Sequence, residues 1–379
     1  MEILIGADLV PTQSNFEDFI QGTMENVVDK ELMNILNGAD FRIFNLETPL
    51  SDIVNPIKKC GPHLIAPTKT INGITQLKVD FFTLANNHIL DQGEKGLLST
   101  MEILEKNNIL YAGVGRNFEE SSKPAILNIG SIKVGIYCCA EHEFSIVDEN
   151  KMGANPFDLL ESFEHIKQLK ECVDYVIVLY HGGKEQYRYP SPNLQKVCRK
   201  IAENGADLVI CQHTHCIGCK ELWHDATIIY GQGNFLFDDS EDEHWETSLL
   251  VRLIVEKNRE THLEYIPIKK DGKGIRLAKD LCGKSIIDNF NNRSKEIQNN
   301  DFIKKEYKKY SEKIALDYYN RSLGKIRKSI IFKALNKLCS NKLVEQNYLG
   351  SNARALINVI ECEAHRELYL EILKNNISK

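Results

Sequence analysis

The sequence predicts an α/β protein followed by a helical C-terminal region. Three observations carry this expectation. Short apolar runs alternate with amphipathic helical segments over roughly the first 270 residues. Residue types that bind metals recur just past the ends of those runs, where open α/β sheets place their sites. Beyond residue 285 the strand signal stops and Asn/Lys-rich helical sequence replaces it.

Taken in order, Ile3–Ile5, Phe41–Asn45, Phe81–Leu84 and Ile109–Tyr111 read as short buried strands. Met101–Lys106 belongs to a helix packed between strands. Ala125–Ile129 and Ile132–Cys138 form a hairpin across Gly130-Ser131. A helix near 157–171 and a strand at Tyr175–Tyr180 follow. The clearest helix starts near Pro192, with Leu194, Val197, Cys198, Ile201 and Ala202 on one face and Gly205 as its stop. Leu208–Cys211 and Ile228–Tyr230 are strands that end just before His213 and Asn234, and Leu249–Val255 and Leu263–Pro267 are late antiparallel strands. In the tail, Lys325–Leu338 carries an apolar stripe of Ile326, Ile330, Ile331, Ala334 and Leu338. Ala353–Leu373 repeats the pattern with Leu356, Ile357, Ile360, Ala364 and Leu368.

A chain of 379 residues suits one large domain plus an appendage. Hydrophobic content of 42% with 26% charged residues excludes a disordered chain. Charge is unevenly spread: residues 285–379 hold 18 Lys and Arg against 11 Asp and Glu, whereas 1–284 hold 29 against 42. The boundary is therefore expected near 284/285, with the whole site in 1–284 and a basic helical region in 285–379. Interspersed acids make a solvated face the default for that region. The start, Met1-Glu2-Ile3-Leu4-Ile5-Gly6, reads as strand and not as a secretory signal. No run reaches the roughly 18 apolar residues of a spanning helix. The 11 cysteines are odd in number and scattered, which fits reduced thiols. A cytoplasmic protein with no transmembrane segment is expected, and no nucleic-acid partner.

Six segments supply ligand types: Asp8, Glu47, Asn87 with His88, His181, the pair His213 and His215, and Asn234. Carboxylate and amide oxygens mixed with imidazoles suit Mn, Fe or Zn. In extended backbone, residues two apart point the same way, so His213 and His215 are expected to reach one cavity, as are Asn45 and Glu47. His181 precedes two glycines that allow close backbone approach. Arg116 reads equally as an anion clamp or a surface arginine. Glu141-His142-Glu143 reads as a solvated loop in preference to an additional acid/base cluster. Cys216-x-x-Cys219 beside the His pair offers a rival zinc knuckle, but no second such pair exists and the oxygen ligands would have no task.

These segments, with Asn45-Leu46-Glu47-Thr48-Pro49, Ala85-Asn86-Asn87-His88-Ile89-Leu90-Asp91-Gln92-Gly93 and Gly231-Gln232-Gly233-Asn234-Phe235, resemble the CapA family of capsule-synthesis (poly-gamma-glutamate type) proteins over about residues 1–270. That family is similar to calcineurin-like metallophosphoesterases. The resemblance implies a two-sheet αββα sandwich of the metallophosphoesterase type with a divalent metal centre, of two ions, at one sheet edge. It implies Asp8 and His215 on one ion, Asn87, His181 and His213 on the other, and Glu47 bridging. His88 would serve as acid or oxyanion stabiliser with Asp91 behind its ring. Asn45, Glu185, Tyr187 and Asn234, with Arg116, would contact substrate or support the ligands. One departure stands out: the related enzymes carry His two residues after the first Asp, where this chain has Val10. The expected activity is hydrolysis of a phosphate ester, or of a glutamate-type amide or acyl phosphate. Expected partners are a small or polymeric substrate bearing phosphate or carboxylate, and capsule-synthesis proteins. The alternative is a non-catalytic assembly factor with a structural metal.

Overall fold

Alternating strands and helices fold into two facing β-sheets covered by helices on their outer sides. The computed structural model describes residues 1–130, 132–238, 240–256, 260–322, 329–362, 365–366, 369 and 373. They divide into two units, Met1–Ile303 and Lys304–Lys379.

The first sheet runs Gly274–Leu277, Thr261–Asp271, Thr247–Val255, Glu2–Val10, Phe41–Leu46, Phe81–Thr83 and Leu110–Ala112 in spatial order. Asn234–Phe237 pairs parallel to the far end of Glu2–Val10. The second runs Lys220–Trp223, Ala226–Ile229, Leu208–Gln212, Tyr175–His181, Ile132–Ala140 and Ala125–Ile129. The predicted hairpin is present, with Ser131 outside the described residues. Asn234 does not trail the end of its predicted strand; it opens a strand of its own.

Three apolar layers hold the first unit together. Ile3, Ile5, Ile43 and Phe81 meet Ile136, Ile177 and Leu208 between the sheets. Leu4, Leu9, Phe44 and Phe82 face the helices that hold Leu32, Leu36, Leu97 and Leu104. On the other side, Val176, Val178 and Val209 pack against Ile166, Leu169, Leu194, Cys198 and Ile201. The last three belong to the Pro192–Glu203 helix, whose Ser191 accepts a hydrogen bond from the Leu194 N–H at 3.0 Å.

The Glu2–Val10 strand changes face midway. Ile3 and Ile5 point between the sheets, yet Leu9 joins the outer layer with Leu4. A register shift against Phe41–Leu46, between Ile5 and Asp8, supplies the extra residue that reverses the alternation. It lies at Gly6, where a Cβ would sit 2.1 Å from the Phe44 ring.

The second unit is helical, including Ile330–Leu338, Lys342–Glu345 and Gly350–Glu361. Of the predicted Lys325–Leu338 helix, residues 325–328 lie outside the described residues, and the helix begins at Ile330 behind a Ser329 cap. Its expected apolar stripe is exposed at Ile330, Ile331, Ala334 and Leu338. Ala364 and Leu368 of the other predicted stripe lie outside the described residues. Among the described residues no helix is long and apolar enough to cross a membrane.

Candidate metal centre

Register places the first polar side chains. Asp8 pairs with Asn45 on one neighbouring strand and with Asn234 on the other, so three polar residues stand abreast on one sheet. In the second sheet His181 ends the Tyr175–His181 strand beside Gln212. Gly182 follows at a point where a Cβ would lie 2.6 Å from Glu141. Asn45 joins the two sheets: its Nδ2 donates to Asp8 Oδ1 at 2.7 Å and lies 3.3 Å from His181 Nδ1. Asn86 Nδ2 in turn donates to Asn45 Oδ1 at 3.0 Å and to Leu46 O at 2.9 Å.

Glu47 lies at the middle of the cluster, fully buried, and neither carboxylate oxygen has a hydrogen-bond partner. His181 Nε2 lies 3.3 Å from Glu47 Oε1 and 3.0 Å from Asn87 Oδ1. Glu47, His213 and His215 offer ligand atoms within 4.8 Å of one another. Asp8 Oδ2 lies 3.5 Å from His215 Nδ1 and accepts no hydrogen bond, and His213 Nδ1 is also buried without a partner. Donor atoms sharing one ion at about 2.1 Å sit roughly 3–3.4 Å apart, so these spacings and orphaned atoms fit divalent cations.

The His pair is not held as extended backbone predicts. Leu208–Gln212 ends before it, and both residues are left-handed, His213 at φ 87° and His215 at φ 51°. Non-glycine residues in this region carry strain that the surrounding structure must hold. Here the loop is held by Thr214 Oγ1 donating to Cys216 O at 3.1 Å and by Gln186 N–H donating to Thr214 O at 2.8 Å. His215 Nδ1 pairs with Asn234 Oδ1 at 2.8 Å, and the Trp245 ring lies over the imidazole at 4.6 Å. Cys216 and Cys219 do not join the centre. Both are buried, and burial pushes the Cys216 thiol up to about 11, which disfavours the thiolate a zinc knuckle requires.

Electrostatics sort the cluster. Burial, reinforced by Asp8, pushes Glu47 up to about 8. Burial also raises the Asp8 carboxyl, but the neighbouring His215 ring, with smaller help from His181 and Asn45, outweighs it and leaves Asp8 below its usual range. Burial works against a charged His215, but Glu47 and Asp8 together hold it up at about 9. His181 is pushed down to about 4, chiefly by burial.

His88 sits beside this cluster. Its Nδ1 lies 2.6 Å from Asp91 Oδ2, and the same carboxylate oxygen accepts the Leu64 N–H at 2.6 Å. Asp91 Oδ1 is paired with Lys59, whose Nζ is also 3.2 Å from His88 Nδ1. Sequence reasoning missed Lys59, which comes from an excursion with no periodicity. It also passed over Glu143 as loop, although Glu143 Oε2 accepts from Asn87 Nδ2 at 2.8 Å. Trp245 was missed for the same reason.

The remaining candidates separate. Glu185 lies 3.9 Å from His213 Nε2. Tyr187 is buried with its ring against Tyr189. Arg116 is exposed, with its backbone N–H on Glu120 and its charge felt at Tyr111, and no described contact brings it to the centre.

The profile described as bacterial capsule synthesis protein PGA_cap matches residues 8–239. The capsule biosynthesis protein CapA of Bacillus anthracis is 27% identical over 242 residues, which cover 62% of this chain and 59% of that protein. The PGA biosynthesis protein CapA of Bacillus subtilis is 26% identical over 243 residues, covering 62% of each. The match thus takes in about three fifths of the length of these relatives. Among solved structures, a novel phosphatase from Mycoplasma pneumoniae superposes with a TM-score of 0.44 at 15% identity, over 72% of this chain and 94% of that one. A putative 5'-nucleotidase from Staphylococcus aureus gives 0.43 at 14%, over 77% of this chain and 58% of that one.

Proposed function

The chain belongs to the bacterial capsule synthesis protein PGA_cap family, and from that premise we propose that its buried centre is a divalent-metal hydrolase site acting on a phosphate ester or related bond. One observation carries the reading: the Glu47 carboxylate is fully buried with both oxygens unpartnered, ringed by Asp8, His181, His213 and His215. Burying such a group without a partner is costly, and a cation is the partner its surroundings fit. Asp8, Glu47, Asn87, His181, His213 and His215 are the proposed ligands, with Mn, Fe or Zn favoured by their mixed hardness. Bound ions would supply Lewis-acid polarisation and an activated water.

The chain's own residues divide the remaining work. Asn45 and Asn234 hold Asp8, His181 and His215 in orientation. Asn87 is aimed at His181 because Glu143 holds its amide nitrogen. Asp91 fixes the His88 ring through Nδ1, which leaves Nε2 to give or share a proton with a leaving oxygen. The substrate in this reading bears phosphate or carboxylate, and the protein serves capsule or poly-gamma-glutamate-type polymer synthesis alongside other proteins of that process.

Metal analysis of the purified protein, paired with a screen of aryl phosphates and phosphodiesters, tests the reading. One or two transition-metal equivalents with metal-dependent turnover are expected. Full metal occupancy with no hydrolysis of any substrate would replace it with an assembly role.

A further inference from the structure

Beside the centre lies a cleft of about 700 Å³ whose charged lining has no part in the work assigned above. Two segments that serve the centre continue into the cleft lining. Ile217, which lines the cleft, is two residues beyond His215. Glu243, Glu246 and Thr247 line it too, and they flank Trp245, whose ring lies over His215.

Two arginines converge on this cleft from different elements. Arg188 follows the His181 segment, and Arg293 comes from the Asp280–Glu296 helix. Each donates to the loop beyond the histidines: Arg188 Nη1 to Ile217 O at 3.2 Å, and Arg293 Nε to Gly218 O at 2.7 Å. Among the described residues neither forms an ion pair with a carboxylate. The two charges are near enough to oppose each other, since burial and then Arg188 hold the Arg293 guanidinium below its usual range. A purely structural loop clamp needs one N–H from each and gains nothing from bringing two cations together. Guanidinium forks with donors to spare match the paired oxygens of a carboxylate or phosphate. Lys269 adds a third cation to the lining, against Glu243 and Glu246.

We propose that Arg188 and Arg293 bind an anionic group, carboxylate or phosphate, of the molecule cleaved at the metal centre, so that the substrate carries at least two anionic groups. The link to cleavage rests on the hydrolase reading; the anion site does not. The two glutamates set the orientation by repelling a ligand that enters along their wall.

The test is equilibrium binding to the full chain, read by calorimetry, with and without a metal chelator. A glutamate oligomer probes carboxylates and tripolyphosphate probes phosphates. The preferred anion should bind chelator-treated protein, and Arg188→Gln and Arg293→Gln should each weaken it by about tenfold or more. Arg293→Lys should fall between, keeping the charge but losing the fork. Glu246→Gln should tighten binding, an outcome that damaged folding would not give. Thermal melts confirm that the variants are folded. Binding of neither probe, or binding indifferent to both arginines, overturns the proposal even if aryl phosphates are hydrolysed. Arginine-dependent binding in a protein that hydrolyses nothing keeps the anion site and removes only the hydrolase reading.

Discussion

Lys59 and Asp91 form an ion pair sealed from solvent at the back of the His88 ring, with side-chain exposures of 1% and 0%. The lysine arrives on a loop whose neighbours Lys58 and Cys60 are less buried, yet its own ammonium is spent entirely inside. Removing one member of such a pair leaves the other charge stranded. Lys59→Met is therefore expected to destabilise the protein by roughly 3–5 kcal/mol, measured by urea unfolding. A loss below about 1 kcal/mol, the weight of an exposed pair, would show that water reaches Asp91.

Ligand and proton-handling roles separate by metal content. His88→Ala should lower turnover by roughly 10²–10⁴-fold while metal stoichiometry holds, because its ring is engaged with Asp91 and not with the Glu47 cluster. His181→Ala should lose metal and turnover together, and Asn87→Ala should do so more weakly. Elemental analysis beside rate measurements decides it. Equal metal loss in all three variants would end the acid/base role of His88.

The pH dependence of the metal-free protein follows from two raised groups. Glu47 stands at about 8 against an ordinary 4.5, and His215 at about 9 against 6.5. Each binds its proton more tightly in the folded state, so the stability each contributes is lost as pH rises through the folded value. The unfolding midpoint of chelator-treated protein should fall most where both groups act together, in the overlap of their ranges between pH 6.5 and about 8. Metal-loaded protein should resist that fall, since cation binding replaces those protons. Scanning calorimetry on both forms gives the answer, and parallel curves would remove the cation from the account.

Gly218→Ala should disturb the centre from outside it. A Cβ there would lie 2.0 Å from the Tyr230 carbonyl oxygen, so the loop must move, and the same loop carries His213 and His215. Reduced metal affinity with only modest loss of secondary structure is expected, by metal titration and circular dichroism. Unchanged affinity would mean that the loop absorbs the shift beyond His215.

The strands of both sheets were legible because buried runs such as Tyr175–Tyr180 and Leu208–Cys211 announce themselves by continuous apolar character. Part of the polar cluster was legible for the same reason, since Asp8, Asn45 and His181 sit within or at the end of such runs. What periodicity could not convey was backbone conformation after a strand. His213 and His215 converge through left-handed turns, not through an extended backbone, and nothing in Cys211-Gln212-His213-Thr214-His215 marks that. Lys59, Glu143 and Trp245 reach the centre from irregular segments, where sequence distance says little about distance in space. The tail shows the opposite failure. Its amphipathic stripe is real in sequence, yet Ile330, Ile331 and Leu338 are exposed within the described residues.

The reversal of face in the Glu2–Val10 strand makes chain length at that point part of the chemistry. Ahead of the shift odd-numbered residues look inward; past it Leu9 looks outward, and the carboxylate of Asp8 is turned toward His215 and Asn45. A regular strand over the same residues, without that shift, would put Asp8 in phase with Leu4 and turn it toward the outer helices. Every side chain of the centre would still be encoded, and the centre would be gone. A change of one residue between Ile5 and Asp8 must therefore be matched by a gain or loss of the register shift if the carboxylate is to keep facing His215 and Asn45.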